Sequence, residues 1–291
     1  MYPELFKIGP VTVYSYGAML ACAFIVGAWL FRRELRRWNL PEDLADRVAL
    51  AAMFGGIIGA KLYFIALEAP DEFAAEPLNT LFSGAGLTFY GGLAGAVLFI
   101  WFVVRRAKVS FLHVADLLGP ILVLGYAFGR AGCFLSGDGD YGPPTNLPWG
   151  MSFPNGTVPT VLMVHPTPLY EIGLCLVGFG YLWFVLRHKT LAPGMMVAAT
   201  FLVAGVERLI TEFWRFDSGV YATYAYAYGG TSLAESQRVA FEIARKAHFA
   251  YAGLSLAQVL SVALVIAGVV ILFVQRRKPA RAIPGAVGGK S

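Results

Sequence analysis

Charge is what this sequence has least of. Only 14% of its 291 residues are Asp, Glu, Lys or Arg, against roughly a quarter in a soluble domain. That shortage excludes an ordinary water-solvated surface and suits a bilayer, where each ionised group is costly to bury. Cysteine is scarce too. Cys22, Cys133 and Cys175 all fall in apolar segments, at spacings that fit neither a disulfide framework nor a metal motif. The sequence has no aromatic-interleaved basic patch, so its net charge of +5 is not a nucleic-acid signal. A cleavable signal peptide is not expected either, because the first apolar stretch is followed by Arg32 and Arg33, the way a retained span stops.

What is abundant points the same way. Hydrophobic residues make up 57% of the chain and the mean hydropathy is +0.63. The 33 glycines fit membrane helices, which use small residues for close packing. A span needs about 20 apolar residues. Candidates are Ser15–Phe31, Val48–Leu67, Leu87–Val104, Val114–Leu135, Leu169–Leu186, Met195–Phe213 and Leu254–Val274. The expected fold is therefore an all-α polytopic bundle of about seven transmembrane helices, forming one domain over residues 1–275. The basic tail, residues 276–291, is expected to be disordered.

The loops alternate in charge. Arg32, Arg33, Arg36, Arg37 and Arg47 follow the first span, Arg105, Arg106 and Lys108 the third, and Arg187 and Lys189 the fifth. The stretch from Leu135 to Leu169 has no Lys or Arg at all. By the positive-inside rule the N-terminus lies outside and the C-terminus in the cytoplasm, which demands an odd number of spans. Two outer segments stand out. Residues 136–168 are rich in Gly and Pro and should be turns and irregular chain. Residues 216–253 carry Ser232 and Glu235 in capping-box spacing, then Leu233, Ala240, Ile243, Ala244, Ala247 and Tyr251 at helical intervals. An amphipathic helix on the outer face is expected there, either a simple connector or a flap over a lipid entrance.

Ionisable residues inside spans carry the functional information, because they rarely sit there without a reason. At about 1.5 Å per residue, Lys61 and Arg208 lie roughly 20 Å up from the cytoplasmic side, and Arg130 lies higher. Tyr16, Tyr90, Glu171, Glu212 and Arg215 lie near outer span ends, with His165 just before Glu171. Polar groups from six segments thus converge on the outer leaflet. Arg208, Glu212 and Arg215 fall at i, i+4 and i+7, one stripe of a helix, where Glu212 can pair with either arginine. Such a set is either an ion-pair lattice fixing helix packing or an anion site. Arg130 and Arg208 would suit a phosphodiester head group. Lys61 either adds a third positive charge or snorkels. Asp138 and Asp140 are expected to be turn formers in a Gly-rich loop rather than a metal pair, so neither a metal nor a cofactor is expected.

Several segments resemble one family in order. Gly129-Arg130-Ala131-Gly132-Cys133-Phe134-Leu135-Ser136-Gly137-Asp138, running to Tyr141-Gly142, looks like the signature of the prolipoprotein diacylglyceryl transferases, and so does Leu147-Pro148-Trp149-Gly150 after it. His165-Pro166-Thr167-Pro168-Leu169-Tyr170-Glu171, Arg208-Leu209-Ile210-Thr211-Glu212-Phe213-Trp214-Arg215, Gly253-Leu254-Ser255-Leu256-Ala257-Gln258 and Tyr16-Gly17 resemble its later and earlier motifs. The chain departs from the family pattern at Tyr90, where many members have histidine, at Cys133, where many have asparagine, and at Ala257, where many have glycine.

The resemblance implies a multi-pass enzyme of the bacterial plasma (inner) membrane, with its active site opening toward the outer leaflet. It would move the diacylglyceryl group of phosphatidylglycerol onto the lipobox cysteine thiol of a preprolipoprotein, forming a thioether. Arg130 and Arg208 would take the phosphate, with Glu212 and Arg215 orienting Arg208 or holding the glycerol head. Tyr16, Lys61, Cys133, Gly137 and Glu171 would join them around the lipid. The base that takes the thiol proton stays open among Tyr90, His165, Glu171 and water. Two other classes stay open as well: a family member with another acceptor or a non-catalytic lipid-binding role, and a transporter.

Overall fold

The computed structural model describes residues 1–82, 88–215 and 254–279. Among the described residues, five helices are long and apolar enough to cross a membrane: Ser15–Arg37, Leu44–Glu68, Phe111–Ser136, Thr167–His188 and Leu256–Gln275. The protein is an all-α membrane protein carrying two small two-stranded sheets among the described residues. The amphipathic helix expected in 216–253 and most of the basic tail (280–291) lie outside the described residues.

Each of the seven apolar stretches falls on a helix. In chain order the elements are strands β1 (Glu4–Ile8) and β2 (Val11–Tyr14), then α1 (Ser15–Arg37). Helix α2 (Leu44–Tyr63) runs on as a wide turn over Phe64–Glu68, followed by the short α3 (Pro70–Ala75) and α4 (Pro77–Phe82). Then come α5 (Phe89–Arg106), α6 (Phe111–Ser136), strands β3 (Met151–Phe153) and β4 (Thr160–Val164), α7 (Thr167–Gly180), α8 (Met195–Thr211) and α9 (Leu256–Gln275).

Two compact units emerge. One contains Met1–Val26 together with the chain from Leu118 onward; the other contains Gly27–Leu117 among the described residues. In the second unit, α2 and α5 meet backbone to backbone through two Gly-x-x-x-Gly pairs, Gly55/Gly59 and Gly91/Gly95. A Cβ placed on Gly55 would sit 2.6 Å from the Gly95 carbonyl oxygen, and one on Gly59 would sit 2.7 Å from the Gly95 Cα. Apolar lipid tails give such helices no hydrophobic drive to associate, so close van der Waals contact has to hold them. Thr88 adds a hydroxyl bond to the Ala60 carbonyl at 3.2 Å. A Gly95→Leu change should therefore cost about 1–3 kcal/mol or more, readable as a lowered thermal midpoint of the detergent-solubilised protein.

The first unit begins with the β1–β2 hairpin, which sequence patterning had not suggested. Gly9 turns it at φ +58°. The Tyr2 N–H donates to Leu135 O at the end of α6, 3.1 Å, so the hairpin is tied to that helix. The Gly- and Pro-rich segment 136–168, expected to be irregular throughout, also holds a sheet. Strand β4 pairs antiparallel with β3 and alternates strictly, with Thr160, Leu162 and Val164 inward and Val161 and Met163 outward. Tyr141 and Phe153 stack at 4.0 Å beneath it, closing a small core with Leu162 and Val164. That core gives the loop enough buried apolar surface to hold one shape. Helix α6, α7 with the wide turn that continues it (Tyr181–Val185), and α8 share a second core of Val123, Ala127, Cys175, Leu182 and Met196. Gly205 and Gly268 mesh α8 with α9; a Cβ on Gly205 would lie 2.7 Å from Val265.

Candidate active site

The first unit carries a ladder of alternating charges. Arg130 comes from α6, one turn beyond Tyr126, and its guanidinium lies 5.0 Å from the Tyr126 ring centre. Its Nη1 pairs closely with Asp140 Oδ2 and lies 3.5 Å from Glu171 Oε2, on α7. Arg208, on α8, reaches the other oxygen of the same carboxylate at 3.3 Å and Glu212 at 2.8 Å. Arg215 holds both oxygens of Asp140, at 2.9 and 2.8 Å. The order along the ladder is Arg215, Asp140, Arg130, Glu171, Arg208, Glu212.

Neutral groups complete it. The Tyr126 hydroxyl donates to Glu171 Oε1 at 3.1 Å. The Ser255 hydroxyl donates to Glu212 Oε1 at 3.0 Å. Ser255 is also the N-cap of α9, accepting from the Gln258 N–H while Gln258 Oε1 accepts from the Ser255 N–H, a complete capping box. Glu171 and Glu212 are buried, and the arginines nearly so. Burial of this kind is sustainable only where every charge has a partner.

Two expectations are corrected here. Arg208, Glu212 and Arg215 do not form one helical stripe. Helix α8 ends at Thr211; the Glu212 N–H still bonds four back to Arg208 O at 3.1 Å, but the Phe213 and Trp214 N–H groups bond three back, the latter to Thr211 O at 2.9 Å. The chain turns tightly, so Glu212 pairs with Arg208 while Arg215 departs to Asp140. Asp140, in turn, is not a simple turn former; only Asp138 acts so, with Oδ1 accepting from the Asp140 N–H at 3.3 Å. Burial disfavours the charged form of Asp140, but Arg215 and Arg130 outweigh it and hold the carboxyl below the usual carboxylate range.

His165 lies just before α7, partly buried. Its Nδ1 is 3.0 Å from the Tyr170 hydroxyl, which accepts from the Trp149 indole N–H at 2.8 Å. An indole nitrogen only donates, so the tyrosine proton is available for Nδ1 of the imidazole. Burial pushes His165 below the ordinary histidine range, which keeps it neutral at pH 7.

The remaining residues divide by unit. Tyr16 opens α1 beside α6; a Cβ on Gly132 would lie 3.0 Å from its ring. Cys133 is buried, and its sulfur lies within 4.8 Å of carboxylate oxygens of Asp138 and Asp140. Two guanidiniums already occupy Asp140, which does not suit a cation there. Gly137 has φ +62°, and a Cβ there would meet Gly156 Cα at 2.7 Å, so its place is explained by the turn itself. Lys61 and Tyr90 belong to the other unit. Lys61 is buried on α2 with its ammonium 5.6 Å from the Phe64 ring centre. Tyr90 is exposed and lines an apolar hollow on α5 with Leu93, Val97 and Trp101. Tyr126, Asp140, Tyr170 and Ser255 were not singled out as site residues from sequence. Tyr126 could have been, since it lies one helical turn from Arg130.

Residues 3–274 match the family described as prolipoprotein diacylglyceryl transferase. Curated relatives carry the name phosphatidylglycerol–prolipoprotein diacylglyceryl transferase. The protein from Bordetella avium is 32% identical over 80% of this chain and 88% of its own length. That from Chlorobaculum tepidum is 35% identical over 74% and 78%, and that from Pseudoalteromonas atlantica is 30% identical over 96% and 91%.

Proposed function

The chain belongs to the prolipoprotein diacylglyceryl transferase family, and from that premise we propose that it transfers the diacylglyceryl group of phosphatidylglycerol to the lipobox cysteine thiol of preprolipoproteins. A carbon–sulfur bond forms, the carbon–oxygen bond to the phosphate breaks, glycerol phosphate leaves, and the thiol proton passes to a base. The enzyme would work in the bacterial inner membrane as one catalytic domain over residues 1–275, with seven spans, the N-terminus outside and the site opening to the outer leaflet.

One observation carries the assignment of residues. Arg130 and Arg208 come from different helices yet meet on the two oxygens of Glu171, at 3.5 and 3.3 Å. Two guanidiniums so close can grip a single phosphate and stabilise the charge that grows on it as the carbon–oxygen bond breaks. Arg215 and Glu212 position them. Tyr16, packed beside Gly132 of α6, and Cys133, three residues from Arg130, suit the glycerol and acyl portions.

The direct test is purified protein in phosphatidylglycerol liposomes with a lipobox peptide. The expected product is the thioether-linked diacylglyceryl peptide, with released glycerol phosphate. Failure of that transfer, together with failure to complement a strain depleted of its own transferase, would overturn the assignment.

For the base, the hydrogen bonding of His165 favours a binding role: with Nδ1 accepting from Tyr170, Nε2 carries the proton and presents a donor. His165→Gln should lower the rate while leaving the shape of the pH–rate profile unchanged between pH 5 and 9. Loss of an acidic limb in that variant would restore His165 as the base. Tyr90→Phe run alongside tests the phenol; an unchanged rate and pH–rate profile would remove it as the base.

A further inference from the structure

The ladder has no net charge to offer a phosphate. Arg130, Arg208 and Arg215 face Asp140, Glu171 and Glu212, three positive charges against three negative. A phosphodiester arriving with its own negative charge would leave the buried set short of cations, which is costly in a medium of low dielectric. Either the phosphate binds weakly or one carboxylate gives way to it.

The three carboxylates are not equally fixed. Glu171 is 0% exposed, on a helix, and held by Tyr126 in addition to two arginines. Glu212 is 2% exposed, caps α8 and is held by Ser255. Asp140 has 12% of its side chain exposed and lies on non-helical chain between Gly139, at φ +95°, and Tyr141. Both its arginine partners accept the same planar, two-oxygen geometry from a carboxylate or a phosphate. Arg215 moreover keeps a buried Nε with no hydrogen-bond partner among the described residues, a donor that Asp140 does not use.

Resting on the phosphatidylglycerol reading above, we propose that Asp140 is an internal stand-in for the lipid head group: the phosphate displaces it from Arg130, which grips the phosphate together with Arg208, the glycerol head displaces it from Arg215, and the carboxylate swings out on its loop beside Gly139. In the empty enzyme it keeps two buried guanidiniums paired and aimed. On binding it is the competitor that the lipid must beat. Asp140 is thus a positioning residue that tunes lipid affinity against arginine orientation, and it sets a preference for a head group able to claim both arginines at once.

Removal of the competing charge has a signature that a purely structural role does not produce. In full-length protein in nanodiscs, Asp140→Asn should lower the KM for phosphatidylglycerol about tenfold, within the usual range of coupling between competing ligands, and should lower kcat because the arginines are less well aimed. Asp140→Glu keeps the competing charge, so its KM should not fall as that of the asparagine variant does. Asp140→Ser repeats the measurement should the asparagine variant fail to fold. A neutral variant that keeps its thermal midpoint but shows a raised KM overturns the proposal and makes Asp140 a brace. Natural enzyme that binds phosphatidylglycerol no better than phosphatidylcholine overturns the substrate assignment instead, so the two failures are distinguishable.

Discussion

Replacing Arg130 with alanine should reduce diacylglyceryl transfer by at least about a hundredfold, the scale seen when one preorganised donor to a developing anion is lost. The expectation follows from position. Arg130 is the central cation of the ladder, touching Asp140 and Glu171 and lying over Tyr126. Its loss removes the proposed phosphate donor and leaves two carboxylates facing each other with one fewer cation. Arg130→Lys separates the two effects: it keeps a positive charge but not the planar fork that binds two oxygens side by side. Lysine should restore protein yield while transfer, measured as peptide–lipid product, stays at least about tenfold low. A fully active alanine variant would remove Arg130 from the mechanism.

The second large effect is expected at Glu171, and it is one of stability. Its carboxylate is 0% exposed and serves two guanidiniums at once. Glu171→Gln is nearly isosteric, yet it strips the charge that both arginines were paired with. Removing one partner of a buried ion pair costs about 3–5 kcal/mol, because the other partner is left uncompensated. Thermal unfolding in detergent should therefore begin well below that of the natural protein. If lipid binds the loosened arginines, added phosphatidylglycerol should recover part of the lost stability. An unshifted midpoint would mean that the ladder contributes nothing to folding.

Much of this was legible in the sequence. The seven apolar stretches, with charge clusters between them, each fall on a helix of the described residues, because a bilayer permits so few alternatives. Arg130, Glu171, Arg208 and Glu212 stood out because charge inside a span is rare. What could not be read was the pairing. Asp140 is ten residues from Arg130 along the chain but 75 from Arg215, and nothing local says that the loop after α6 returns to the end of α8. The i, i+7 spacing of Arg208 and Arg215 suggested a shared face and failed because α8 ends between them. The β3–β4 hairpin was hidden for a similar reason. Its glycines and prolines suggest loops, and its strands are secured by the Tyr141–Phe153 stack, a contact made after folding. The α2–α5 seam lay in the glycine count without revealing which glycines meet.

The ladder also bears on how the protein is made. Arg130 and Glu171 sit on α6 and α7, consecutive membrane-crossing helices. An isolated helix carrying either charge meets an insertion penalty, smaller than the roughly 2.5–3.5 kcal/mol of a helix centre because both residues lie within about two turns of a helix end. Entering as a pair, the two cancel much of that penalty, so biogenesis favours a helical hairpin released into lipid together, with the β3–β4 segment as its tip. The charges proposed for the site would thus first act as a zipper during synthesis, and a mutation that spares the mature site could still strand the nascent chain.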